Sequence, residues 1–468
     1  MQVNIQMVTT DGDRKTIHDI LGLERKELSI ETLGLTLHES KTMTAAIQKT
    51  MIAAQVEEYI SEHKACPHCG KLRPIKGYHA MICRTLFGRV SLKSPRLLEC
   101  SCQGQKATTV SPLPKALVSR AVPELLYLES KWASLIPYGA ASDVLEEFLP
   151  IKVTPAAICN TAMQIATRLE QELPEEQHMY VEGCQRTWDE LPRPGLPITV
   201  ALDGGYVHAR DGKNRKAGWF EVIVGKSLQA EHESKRFGYV SIYDTKPKRR
   251  LYEMLKEQGL QMNQEITFLT DGGDTVRDLP FYLSPRSEHI LDWFHITMKI
   301  TVLKQTAKGI LGNAYKNFED EIDSVKWYLW HGNVFRALDL LETIDEDLYV
   351  STDEQEEAKK SKKDIEKEKI QKLVEEFDTY IQNNKPFIIN YGERYRYGET
   401  ISSSVAESTV DELISRRMVK KQHMRWTQKG AHLLLQLRVK TLNHDLRKSF
   451  VKWYPQMEEK EAILPLVA

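Results

Sequence analysis

Seven cysteines occur in this chain of 468 residues, and five of them fall between positions 66 and 102. That clustering constrains the fold more than any other feature. Cys66-Pro67-His68-Cys69-Gly70 has the spacing of a metal knuckle, in which the backbone amides turn towards one ion. A second close pair, Cys100 and Cys102, follows about thirty residues later and can complete a tetrahedron. Between them, HAMICRTLFGRVSLKSPRLLE alternates apolar and polar residues around Phe87-Gly88, the pattern of a β-hairpin. Knuckle, hairpin and knuckle make a zinc ribbon. The expected ligands of one structural Zn²⁺ are Cys66, Cys69, Cys100 and Cys102. Only Ser101 separates the second pair, so His68, His79 and Cys83 are the alternative donors. Cys83 falls inside the hairpin and reads as a small buried hydrophobe, and Cys159 and Cys184 as packing residues.

The rest of the chain divides by texture. Residues 1–62 begin with alternation and continue with helical patterns, and the ribbon occupies 63–110. Residues 111–190 are helical again. There YGAASDVLEEFL and TPAAICNTAMQIATRLEQEL are joined by PIKV, with Thr154-Pro155 as N-cap and first helical residue. A short helix, a turn and a longer helix suggest a helix-turn-helix DNA reader. The prolines of LPRPGLP mark a boundary near 191. Beyond it come strand-like runs at 198–203, 219–226 and 237–244, an amphipathic helix at 248–260, and the apolar strand EITFLTD. EHILDWFH at 288–295 is a further strand candidate. A first core segment therefore spans 191–300, a helical insertion 301–395, and a second core segment with the tail 396–468. The class is α/β. No stretch approaches 18 consecutive apolar residues, and the N-terminus lacks the order of a signal peptide, so a cytoplasmic location without membrane contact is expected.

Two acids stand at corresponding places. Asp203 follows ITVAL and Asp271 follows ITFLT, and each precedes Gly-Gly. An apolar strand buries its body and delivers a carboxylate to the sheet edge, where the glycines let the backbone turn away. Two hard oxygen donors brought together in this way suit Mg²⁺ or Mn²⁺. Glu407 is the candidate third ligand. Behind it, residues 413–440 hold Arg416, Arg417, Lys420, Lys421, Arg425, Lys429, Arg438 and Lys440 without a single acid. The whole chain has 64 Lys and Arg against 65 Asp and Glu, so this run is a local excess. Arg416, Lys420 and Lys421 share a helical face by spacing. A carboxylate leading into such a helix fits a metal site beside a phosphate backbone.

These motifs together resemble a DDE transposase of the ISKra insertion-sequence type, within the wider Mutator-like group. The resemblance spans nearly the whole chain. It rests on ALDGG at 201–205, TDGGD at 270–274, DWFH at 292–295 and VAESTVDELISRRMVKKQHMRWTQKGA at 405–431, with CPHCG, RTLFGRV and PELLYLESKWASLIPYGAA in support. It implies an RNase H-like catalytic core with an all-helical insertion, preceded by the zinc ribbon and the helical DNA-binding region. It makes Asp203, Asp271 and Glu407 the triad that holds two Mg²⁺ or Mn²⁺ ions. The 136 residues from Asp271 to Glu407 are accounted for by the insertion. DWFH matches the C/D-x-x-H signature of the group, which implies that Asp292 and His295 support the active site. The Arg/Lys run (Arg416, Arg417, Lys420, Lys421, Arg425) would hold DNA strands. Trp426 matches an aromatic near the catalytic Glu, either stacking on a splayed base or packed in the core.

The implied partners are double-stranded DNA, as terminal inverted repeats and target, and a second subunit when two ends are synapsed. The implied place is the nucleoid of a bacterial cytoplasm. Two other readings use the same residues. A transposase-derived regulator would bind DNA without catalysis, and a structure-selective nuclease, or an RNA-processing one, would cut without joining.

Overall fold

The computed structural model describes residues 1–11, 14–103, 108–210, 218–228, 233–348, 362–402, 408–419 and 424–458. The protein is a mixed α/β chain that divides into two compact units, one of residues 1–168 with 444–468 and one of residues 169–443.

The first unit opens with the antiparallel pair β1 (Gln2–Asp11) and β2 (Arg14–Glu24). Helix α1 (Leu37–Glu62) starts at a capping box, in which the Thr36 hydroxyl accepts the Glu39 N–H and the Glu39 carboxylate accepts the Thr36 N–H. The expected hairpin is present as β3 (Ile75–Thr85) and β4 (Gly88–Leu98), with Thr85 opposite Gly88 and a short β5 (Thr109–Val110) alongside. Helices α2 (Pro112–Ala116), α3 (Pro123–Leu135), α4 (Tyr138–Phe148) and α5 (Pro155–Glu172) follow. The two helices expected around PIKV are therefore α4 and α5, and Thr154 caps the second by accepting the Ala157 N–H. Glu129 of α3 is fully buried, where Arg84 and Thr161 donate to its carboxylate. That pairing is what makes a buried charge tolerable.

The second unit contains the short α6 (Gln185–Asp189) and a five-stranded sheet. Its strands are β6 (Ile198–His208), β7 (Trp219–Leu228), β8 (Arg236–Val240), β9 (Ile266–Thr270) and β10 (Ser287–Leu291). The order across the sheet is β10-β9-β6-β7-β8. The first three strands form an antiparallel meander, and β9 and β10 add in parallel on the other side of β6. Between β8 and β9 lies α7 (Pro247–Glu257), and between β9 and β10 the single turn α8 (Asp274–Arg277). Leu202, Ile223, Phe237, Leu251, Met254 and Val276 form a buried core on one face. Gly225 makes room there for the Phe237 ring and the Leu202 side chain.

After β10 the chain is helical, as expected, through α9 (Trp293–Ile310), α10 (Tyr315–Trp330), α11 (Val334–Leu348) and α12 (Lys362–Asn384). Ile296, Ile300, Leu303, Phe318, Ile322, Leu341, Val374 and Ile381 bury at helical spacing into one core. The unit closes with α13 (Tyr391–Arg396), the π-helical α14 (Asp411–Val419) and α15 (Gln428–Leu442). α16 (Leu446–Trp453) belongs to the first unit, so the tail does not group with residues 396–443 as the sequence suggested.

Two local expectations are corrected. Asp203 does not end its strand, because β6 continues through Gly204 and Gly205 to His208, with both glycines paired to β7. The glycines serve close packing instead of a turn: a Cβ on Gly205 would strike Ile414 and Val410. Likewise 288–295 is not one strand. It breaks at Asp292, which caps α9 by accepting the Phe294 N–H.

Candidate metal and catalytic site

Cys66, Cys69, Cys100 and Cys102 place their four sulfurs within 4.8 Å of one another. Cys66 lies 3.8 Å from Cys102, and Cys69 3.4 Å from Cys100. Zn–S bonds of about 2.3 Å in a tetrahedron put sulfurs about 3.8 Å apart, so the set fits one zinc ion. The knuckle is built by the backbone: Gly70, at φ 71°, donates its N–H to the Cys66 carbonyl at 2.9 Å. N–H groups of His68 and Cys69 lower the Cys66 thiol to about 6, and the bond with Cys100, followed by burial, raises Cys102 to about 12. Crowded sulfurs of this kind divide into thiolate and thiol, the state a metal ion displaces. Of the alternative donors, Cys83 instead packs with Met81, Leu92 and Leu113, and neither histidine joins the sulfur group.

In the second unit the structure brings four of the expected residues together. Asp203, on the central strand, is buried and its Oδ1 accepts the Gly204 N–H at 2.7 Å. Burial raises its carboxyl to about 6; the charges of Asp271 and Asp292 add to this, and that of His295 opposes it. Asp271 leaves the end of the neighbouring strand β9, and its Oδ1 accepts the Gly273 N–H at 2.9 Å. Gly272 makes the turn at φ 80°. Asp292, fully buried, holds one oxygen on the first turn of α9 and the other 3.9 Å from His295 Nε2. Among the described residues, no Lys or Arg pairs with Asp203 or Asp271. The donors are hard oxygens around a buried carboxyl that no Lys or Arg pairs among the described residues, which fits a divalent cation such as Mg²⁺ or Mn²⁺. Among the described residues, no three ligand atoms of this set come within 4.8 Å of one another. Glu407 lies outside the described residues, as do Lys420 and Lys421.

The basic run is corrected in part. Arg417 is fully buried with its guanidinium 5.5 Å from the Trp426 ring, and Trp426 is itself buried, donating its indole N–H to the Met418 carbonyl. Neither is a surface contact for DNA. Arg438 is buried too, and burial with the nearby Arg417 charge lowers it to about 10. Arg416 is exposed but pairs with Asp411 at 2.9 Å. Arg425 and Lys429 remain on the surface. In the helix-turn-helix region Gln164 is exposed, whereas Arg168 stacks on Trp453 at 4.1 Å.

Three residues at the site escaped sequence reasoning. Lys299 lies one turn beyond His295 on α9, exposed, with its ammonium 4.4 Å from the Tyr380 ring. Tyr380 and Asn384 of α12 close on the Asp271 turn. The recurrence of Asp292, His295 and Lys299 at i, i+3 and i+7 was the available signal for the lysine. Nothing local marked the other two.

A second cluster, Glu170, Asp244 and His432, is no metal site, because Arg250 occupies its centre. Arg250 donates to Asp244 at 2.6 Å, to Gln436 at 2.8 Å and to Glu170. Among the described residues, no helix is long and apolar enough to cross a membrane.

No family model matches the chain, and no curated protein matches it. Two solved structures are weakly similar. NurA with manganese is 13% identical over 54% of this chain and 73% of its own, with a TM-score of 0.10. NurA bound to dAMP and manganese is 14% identical over 56% of this chain and 58% of its own, also with a TM-score of 0.10. A TM-score of 0.10 transfers neither fold nor chemistry.

Proposed function

We propose that the chain is a DNA transposase of the ISKra type, with an RNase H-like core and metal-dependent phosphoryl transfer. One observation carries the reading: a buried carboxyl on the central strand that no Lys or Arg pairs among the described residues, with a second acid leaving the adjacent parallel strand. An antiparallel meander extended by two parallel strands beyond its first strand supports the RNase H-like assignment. Asp203 and Asp271, with Glu407, would hold the Mg²⁺ or Mn²⁺ ions. Support for Glu407 comes from its neighbours in sequence, since Val410 and Ile414 lie against Gly205 on the sheet face that carries Asp203. When bound, the ions activate water or a 3′-hydroxyl and stabilise the leaving 3′-oxygen. Asp292 fixes the start of α9 beside His295, whose imidazole would move a proton at the site.

The ribbon, held by one structural zinc, and α4–α5 bind the terminal inverted repeats, and two subunits synapse two ends. The test is a strand-transfer assay with duplex ends and a target plasmid, comparing the protein with Asp203→Asn. Joined products that vanish in the variant, with end binding retained, are expected. Cleavage without joining would make the chain a nuclease. Binding with neither reaction in Mg²⁺ or Mn²⁺ would make it a regulator.

A further inference from the structure

The Asp271 turn is held from outside the sheet by the helical insertion. The Tyr380 hydroxyl, on α12, donates to the Asp271 carbonyl at 2.9 Å. One turn later, Asn384 is 2% exposed and donates Nδ2 to the Tyr380 carbonyl at 2.9 Å. Its amide fills the place where a Cβ on Gly272 would stand. Arg277 donates to the Gly272 carbonyl at 3.0 Å and to Asn384 Oδ1 at 3.4 Å. From the strand side, the buried Thr270 hydroxyl accepts the Gly272 N–H at 3.1 Å and meets His289 Nε2 at 2.7 Å. Every peptide group from Asp271 to Gly273 thus has a partner, and the carboxylate is steered by the Gly273 N–H.

We propose that α12 is a lock on the second carboxylate, with Tyr380 and Asn384 as positioning residues that fix the Asp271 turn and so the direction of its side chain. The insertion is then part of the site and not a spacer between its acids. The lock fits the rest of the helix: Tyr380 packs at the edge of the helical core, so its ring anchors α12 while its hydroxyl alone reaches the turn. The cation role of Asp271 rests on the proposed function; the mechanical role of α12 does not.

Two measurements on the full chain separate these claims. In the metal-free protein, hydrogen exchange is followed in peptides covering 268–276, in wild type, Tyr380→Phe and Asn384→Ala. Phenylalanine keeps the ring and removes only the donor. Exchange in this segment about three- to tenfold faster, with the α9 and α10 peptides unchanged, is the range for one lost hydrogen bond. Unchanged exchange in both variants overturns the lock. Mn²⁺ titration of the same proteins then tests the consequence. Tyr380→Phe weakens Mn²⁺ binding several-fold in the wild-type background and has no further effect on Asp271→Asn, because nothing is left to position. Equal effects in both backgrounds overturn the positioning role. If wild type binds no Mn²⁺, the two-cation reading falls, and the exchange result still decides the lock.

Discussion

Arg417 and Arg425 lie eight positions apart in one basic run and have opposite fates. Helical spacing cannot compare them, because Arg417 lies on the π-helical α14, which ends at Val419, and Arg425 lies beyond it, ahead of α15. The charge excess after Glu407 was legible in the sequence; which of its members meet solvent was not. Binding to duplex DNA across a salt series should show the difference. Arg425→Ala should weaken binding and flatten the slope of log K against log salt by about 0.9 for one lost phosphate contact. Arg417→Ala should instead lower the unfolding temperature, because it removes a buried side chain packed on Trp426. Glu170 supplies the pH-dependent case. Burial alone would raise its carboxyl, but the His432 hydrogen bond and the Arg250 charge outweigh that and hold it at about 2. A folded value below the ordinary 4.5 stabilises the protein above pH 4.5, and the contribution fades as pH falls towards 2. Glu170→Gln should therefore cost roughly 1–3 kcal/mol in urea unfolding at pH 7, less than half of that at pH 3, and little below pH 2.

At the scale of elements, the sequence showed the hairpin, the two helices around PIKV and the strands of the sheet, because each carries its own periodicity. It misjudged Gly204 and Gly205. Asp-Gly-Gly suits a turn, and only the partner strand β7 and the approach of Ile414 reveal that these glycines are paired and covered. At Asp292 the same blindness is to capping: an apolar run continues across the junction, while the carboxylate starts a helix. Gly225 makes a comparable demand. Gly225→Ala should destabilise the protein by about 1–3 kcal/mol, measured by denaturant unfolding, since its methyl would overlap the Phe237 ring and Leu202. For the ribbon, replacing Cys66 and Cys69 by Ser should abolish bound zinc in elemental analysis and speed exchange in the β3–β4 peptides. Retained zinc would refute the ligand set.

For the whole molecule, the boundary between units is set by contacts that composition does not encode. The prolines of 192–197 suggested a break there, yet Leu169 to Leu196 group with the sheet unit, and α16 returns to the first. The four acids and bases of the candidate site come from residues 203 to 295 of one unit, so the site does not need the other to assemble. A fragment of residues 155–443, which keeps α5 whole, should fold cooperatively and bind Mn²⁺ as the full chain does. Circular dichroism melts and Mn²⁺ titration check both points. Loss of cooperative unfolding would show that the sheet unit depends on residues outside it.

Asp203 lies on the central strand of a five-stranded sheet, paired with Val224 of β7 and two residues past the last pair of β6 with β9. Its main chain, held in register with β7, has no hinge to swing on. Under the proposed function, changes of coordination between successive steps would fall to groups nearer the rim of the sheet. Evolution could then retime the proposed reaction by altering that periphery while the central strand stays where it is.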